Sequence, residues 1–185
     1  MRRQAGIKSQ DILLVLKMVS LGHQSWRQLD LANALGISQA GVVHSLDRLR
    51  FAGLIDDAKQ KPLRLALVEF LIHGLKYVFP AELGGIARGI PTAHAYGLLG
   101  KRLVENTLPY VWPSEHGEVR GQVLVPLYKS VPFAVQTDAS LHELLALVDA
   151  LRVGRARDRE MAAKQLEKLI LKKGAQGKLL ESTSL

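Results

Sequence analysis

Apolar residues follow a helical rhythm over the first fifty positions. Ile12, Leu13, Leu16 and Val19 recur at spacings of three and four, which predicts an amphipathic helix with Ser9 as its N-cap and Gly22 as its end. Ser25 opens a second expected helix, with Gln28 at capping-box spacing, Leu29, Ala32 and Leu35 as the buried face, and Gly36 as a left-handed terminator. Ser38 caps a third, with Val42, Leu46 and Leu49 turned inward and Ala52-Gly53 at its close. The period then changes. Leu54-Ile55 and Leu63 to Leu67 flank the polar stretch Asp56 to Pro62, which predicts a two-stranded hairpin carrying Lys59 and Lys61, with Arg64 just beyond.

Further along, Val68, Leu71, Ile72 and Leu75 predict a fourth helix over Val68 to Val78, stopped before Pro80. Pro91-Thr92-Ala93 opens a short helix containing His94, Leu98 to Leu103 is ambiguous, and Val119 to Tyr128 reads as a strand that Pro126 and Pro132 confine to an edge. Leu141, Leu144, Leu145, Val148 and Leu151 line one face of a helix over Ala139 to Val153, capped by Ser140 with Glu143 three residues on. Gly154 breaks it. A last helix follows from Arg155 to Lys173, with Ala162, Leu166, Leu169 and Ile170 inward, Arg155, Arg157, Arg159, Lys164 and Lys168 outward, and Gly174 to Leu185 as a frayed tail.

The middle of the chain holds an internal echo. Tyr77-Val-Phe-Pro-Ala-Glu-Leu-Gly, ending in Arg88-Gly89, returns 33 residues later as Tyr110-Val-Trp-Pro-Ser-Glu-His-Gly, ending in Arg120-Gly121. Two copies do not make a solenoid. They read as two similar arches packing around Phe79 and Trp112. The alternative is an anion or nucleotide-phosphate site at Arg88 and Arg120, with Gly89 and Gly121 admitting close approach. The order of a P-loop is missing.

The segment from Leu29 to Ile55 carries a helix, a Gly36-Ile37-Ser38 turn and a second capped helix, a helix-turn-helix signal. Ala32, Gly36, Ile37, Ser38, Val42, Leu46, Leu49, Gly53, Leu54 and Ile55 stand in the register of bacterial MarR-like regulators, which this stretch resembles. The likeness covers about residues 9–67. It implies a winged helix-turn-helix, with the third helix over Ser38 to Arg50 reading DNA and a wing at Lys59 to Arg64. By that reading the DNA-contacting residues are Arg27, Gln28, Ser38, Gln39, Ala40, Val43, His44, Arg48, Lys59, Lys61 and Arg64. Gln39 suits an adenine edge, His44 a guanine or a phosphate, and Ala40 and Val43 a thymine methyl. The sequence departs from the family at Val43 and His44, where Ser or Arg is usual, and Gly41 weakens the helix by up to about 1 kcal/mol. Terminal helices build the dimer in MarR-like proteins, so the resemblance implies a homodimer.

The expected fold class is thus mainly α with a small β wing (α+β). Residues 1–67 are the winged helix-turn-helix, 68–138 a helix plus the repeated arches, 139–173 a helical hairpin, and 174–185 a flexible tail. Composition fits: 48% hydrophobic residues allow a real core. The formal charge of +8 is uneven, with ten Lys or Arg against five Asp or Glu over residues 1–66, a polyanion-binding balance. The absence of Cys excludes thiolate chemistry and disulfides, and fits a cytoplasmic location. No signal peptide or membrane span is expected. His23, His44, His73, His94, His116 and His142 show no metal-ligand spacing, and no nucleophile elbow is present. The expectation is therefore a DNA-binding transcriptional regulator, a dimeric repressor on double-stranded DNA, without enzymatic activity, cofactor or metal. The alternative is an adaptor or antitoxin-like protein docking a protein partner. A third reading lets the arches sense a small anionic effector.

Overall fold

The computed structural model describes residues 6–97 and 108–181, with side chains described as far as Lys172. The chain is a mixed α and β protein. Helices α1 (Ser9–Leu21), α2 (Gln28–Leu35) and α3 (Gln39–Phe51) come first. After them α4 (Arg64–Glu69) runs through a π-helical turn, Phe70–Gly74, into α5 (Leu75–Val78). Strand β1 (Leu83–Thr92), a 3-10 turn at Ala93–Ala95, and strands β2 (Tyr110–Pro113) and β3 (Val119–Leu124) form the middle. Helices α6 (Val131–Ala134), α7 (Ala139–Val153) and α8 (Ala156–Glu181) close the chain. The ambiguous stretch Leu98 to Leu103 lies outside the described residues.

Helix positions follow the apolar rhythm, but at three helix starts the side chain that accepts from a backbone amide is an acid rather than the expected serine. The Lys8 amide donates to Asp11 Oδ2 at 2.8 Å and the Arg27 amide to Asp30 Oδ2 at 2.9 Å. Lys8 and Arg27, not Ser9 and Ser25, thus occupy the N-cap positions. Asp138, not Ser140, caps α7 by accepting from the Leu141 amide at 2.8 Å. A carboxylate satisfies an orphan amide and also answers the positive helix end, so it outcompetes a hydroxyl. Starting α2 at Gln28 moves its inward stripe to Leu31, Ala32 and Leu35, and Leu29 lies on the opposite, exposed side. Ser38 does cap α3, accepting from the Gly41 amide at 3.0 Å, and Gly36 sits in the left-handed region that the turn between α2 and α3 requires.

The expected two-stranded wing shrinks to one bridge, Ile55 with Pro62. Pro62 has no amide to extend a ladder. Leu63 to Leu67 is not a strand, because Leu67, Val68, Leu71 and Leu75 share one buried helical stripe and the helix begins at Arg64 rather than Val68. What remains is a tight loop closed by Leu63 N to Leu54 O and Asp56 N to Lys61 O, both 2.9 Å.

The three strands close on themselves. β1 pairs antiparallel with both β2 and β3, and β2 pairs parallel with β3. β3 is therefore not an edge strand, and Pro126 lies beyond its end. So narrow a barrel needs backbones in contact. A Cβ on Gly89 would stand 2.1 Å from Trp112 O, and one on Gly121 2.2 Å from Pro109 O. The repeated sequence does not form two like arches: Tyr77-Val78 ends a helix, while Tyr110–Pro113 is a strand.

One core runs through the molecule. Ile12 of α1, Leu46 of α3, Leu67 of α4, Trp112 of β2, Leu145 of α7 and Leu166 of α8 belong to a single buried cluster. Each such side chain contributes about 1.5–3 kcal/mol by leaving water. The terminal hairpin folds back on its own chain: Leu141, Leu144, Val148, Leu151, Ala162 and Ile170 are all buried within it or against the remainder. Helix α8 continues to Glu181, past the expected end at Lys173. Among the described residues no helix is long and apolar enough to cross a membrane.

Candidate nucleic-acid interface

Helix α3 is held from beneath by polar as well as apolar contacts. Val42, Leu46 and Leu49 enter the core. Beside them Arg48 Nε and Nη2 reach the two carboxylate oxygens of Asp11 at 2.7 and 2.6 Å, and Nη2 also donates to Ser45 Oγ at 3.1 Å. Asp11 is fully buried, and its hydrogen bond raises the Arg48 guanidinium above its ordinary pKa. Gln10 Nε2 donates to Gly41 O at 3.2 Å and to Ser45 Oγ at 3.1 Å. A side chain at position 41 would press on that amide, at 3.0 Å. Gly41 therefore weakens the helix locally yet lets α1 and α3 approach.

On the outer side, Gln39, Ala40 and His44 are exposed, Val43 is half-buried, and Ser38 marks the helix start. Asp47 sits on the same stripe, where Lys59 Nζ from the loop meets its Oδ1 at 2.5 Å and pulls the carboxyl below its usual range. Lys61, two residues further along the loop, is exposed, with its backbone amide held by Asp56 Oδ1 at 2.9 Å. Arg27 is exposed at the head of α2 and pairs with Asp30 at 3.1 Å, while Gln28 is half-buried. So open a pair is worth little and yields readily to another anion.

Two of the expected contacts point elsewhere. Arg48 is occupied by Asp11, with its side chain 13% exposed. Arg64 lies on α4, not on a wing, and donates from Nη1 to Ile170 O at 2.6 Å. Its burial lowers the guanidinium pKa. Lys17, in the same basic first third, is tied to Asp138 at 2.7 Å. Much of the positive balance over residues 1–66 thus serves to join elements, and Arg2 and Arg3 lie outside the described residues.

A second cluster escaped the sequence reading. Asp149, buried on α7, accepts from Trp112 Nε1 at 2.7 Å, Thr92 Oγ1 at 2.9 Å and Arg152 Nη1 at 2.7 Å. Burial pushes its carboxyl up, and these donors, Arg152 foremost, pull it back. Arg152 continues to Phe79 O at 2.9 Å and Pro80 O at 3.0 Å. His142 Nε2 lies 2.8 Å from Pro91 O, with Tyr96 packed on its ring at 3.8 Å between centroids. His94 meets Tyr110 edge-on at 4.8 Å. Burial lowers both histidine pKa values. The available signal was a lone acid inside Leu147-Val-Asp-Ala-Leu151. With its acceptors engaged by strand and helix donors, this cluster binds the barrel to α7. Next to it a cavity of about 270 Å³ is bordered by Ala93, Tyr96, Glu143, Leu147, Met161 and Lys168.

Arg88 and Arg120 stand directly opposite one another across β1 and β3. Both are exposed, and among the described residues neither has an ion-pair partner. Gly89 and Gly121 do not open a path for a ligand, because the space each leaves is filled by backbone of the barrel. No group of three or more His, Asp or Glu among the described residues is placed to hold a metal ion.

Comparison with protein-family models, with curated proteins and with solved structures found no match.

Proposed function

We propose that the chain is a transcriptional regulator that binds double-stranded DNA through α3, in the manner of a winged helix-turn-helix. The observation that carries this is the outer stripe of α3. Gln39, Ala40 and His44 are exposed after a left-handed turn and a serine cap, on a helix fixed from below. Lys59 meets the stripe from the following loop, on which Lys61 is also exposed, and Arg27 stands at the head of α2. Gln39 and His44 then meet base edges, while Arg27 and Lys61 take phosphates. One short helix reads few base pairs, so the reading includes a homodimer on a repeated half-site. Among the described residues the apolar face of the terminal hairpin is covered within the chain, so the dimer of this reading uses another surface.

The test is fluorescence anisotropy of the full chain on duplex DNA from upstream of its own gene, against scrambled duplex, over a salt series. Specific binding is expected, and Gln39→Ala with His44→Ala should weaken it by about 1–3 kcal/mol per lost base contact, with much less loss on scrambled DNA. Equal, weak binding to both duplexes overturns the reading. A docking role would then gain ground, favoured by Phe51, Leu63 and Leu65, which are 64%, 45% and 75% exposed.

A further inference from the structure

We propose that Arg88 and Arg120 together form a phosphate-binding pair on the outer face of the small barrel. Strand alternation sends Arg88 and Arg120 outward and Gly89 and Gly121 inward. Directly opposed residues in an antiparallel pair place their Cβ atoms about 5 Å apart, so both guanidinium groups can reach one tetrahedral anion.

The pairing makes little sense as a resting arrangement. Like charges directly opposite each other destabilise a sheet. Glu82, Glu115 and Glu118 are exposed in the adjoining loops, yet none forms an ion pair with either arginine. The register that creates the repulsion is also the one the backbone enforces. Gly89 faces Trp112 O, Gly121 faces Pro109 O, and a Cβ on Gly117 would stand 2.2 Å from Gly89 C. A slip of β3 by one residue would turn Arg120 inward and drive side chains into those contacts. Gln122, opposite Ile86 in the next register position, is anchored by its Nε2 to Gly84 O at 3.3 Å. Two guanidinium forks on a fixed backbone register, without acidic partners, match the oxygens and charge of a phosphate group. That group belongs either to a free phosphorylated small molecule or to the backbone of a nucleic acid.

The experiment uses the full chain, Arg88→Gln, Arg120→Gln and the double variant. Thermal unfolding is followed with inorganic phosphate against chloride at matched ionic strength, and binding to scrambled duplex DNA is followed over a salt series. With neither anion, the double variant is expected to melt no lower than wild type, since Gln removes repulsion and no internal bond. Stabilisation of wild type by phosphate, weakened roughly tenfold in apparent affinity by each single change, supports the site with a free ligand. No response to free phosphate, but a DNA salt slope lower by about one in the double variant, as loss of one phosphate contact requires, supports the site on a nucleic-acid backbone. A double variant that melts below wild type, or that matches it in both phosphate response and salt slope, overturns the proposal. The phosphate arm stands whether or not α3 reads DNA.

Discussion

Replacing Asp11 by Ala should be among the most damaging single changes in this protein. Asp11 is fully buried, takes both the Nε and Nη2 of Arg48, and caps α1 through the Lys8 amide. Removing it leaves the Arg48 charge, only 13% exposed, with Ser45 Oγ as its one remaining hydrogen-bond partner among the described residues and the Asp47 carboxylate as a weaker charge neighbour. Breaking a buried pair on one side costs about 3–5 kcal/mol, and loss of a cap about 1 kcal/mol. Arg48 keeps a margin of solvent contact, so the lower end applies to the pair, and with the cap the loss is about 4 kcal/mol in all. For a chain of this size that corresponds to a fall in melting temperature of roughly 8–16 °C.

Urea unfolding followed by circular dichroism measures the loss, and a second variant separates charge from packing. In Asp11→Leu with Arg48→Met both charges leave together, and apolar replacement of a buried pair is often nearly neutral. That double variant should recover to within about 1–2 kcal/mol of wild type, the remaining deficit being the lost cap. A cost below about 1 kcal/mol for Asp11→Ala would refute the reasoning, since the pair would then be solvated and no tether for α3. So would a double variant no more stable than the single one.

Two further outcomes follow from the barrel and its anchor. Gly121→Ala sets a Cβ against Pro109 O, a backbone atom that cannot step aside. It should cost about 1–3 kcal/mol or more in the same urea assay, whereas a change under about 0.5 kcal/mol would mean the strands are not in contact there. Burial lowers the folded pKa of His94 and His142 below the unfolded value of about 6.5. The unfolded chain therefore binds more protons between those values, and the stability present above about pH 6.5 is lost as pH falls through the folded-state values. Melting temperature measured from about pH 8 to about pH 5 should drop, and His142→Gln should flatten the drop; an unchanged slope would place its titration outside the folding equilibrium.

Much of the helical frame is legible in the sequence because its signals are local. The spans of α1, α3 and α7 follow from apolar spacing and from Gly22, Ser38 and Gly154. The errors arise where two local signals compete or where the deciding partner is distant. Ser9, Ser25 and Ser140 are good caps by type, but Asp11, Asp30 and Asp138 bond the Lys8, Arg27 and Leu141 amides and so set different helix starts. Leu63 to Leu67 alternates weakly like a strand, but Leu67 and Val68 also begin a longer helical stripe, and the longer stripe buries more surface. For the candidate interface, Gln39, Ala40 and His44 lie outward as helical spacing requires. Arg48 would lie at the edge of that stripe on spacing alone. It turns inward because Asp11, 37 residues earlier, sits buried beneath it, and no window around Arg48 contains that fact.

The internal echo shows the same limit more sharply. Tyr-Val-aromatic-Pro ends a helix at Tyr77 and forms a strand at Tyr110, so the tetrapeptide itself decides neither structure. Its two aromatic positions nevertheless converge. Phe79 presents its carbonyl to Arg152, Trp112 presents its indole N–H to Asp149, and Arg152 and Asp149 pair at 2.7 Å one helical turn apart on α7. The second halves meet directly, with Ala87 opposite Gly121, Arg88 opposite Arg120 and Gly89 opposite Val119. Sequence likeness here therefore marks two segments that share one anchor and then pair with each other, rather than two copies of one structure. Such an arrangement fixes the spacing of the arginines through contacts that lie on the far side of the strands from them. The glycines and the aromatic residues account for the fold of the echo; the two arginines are the part of it that the fold does not need.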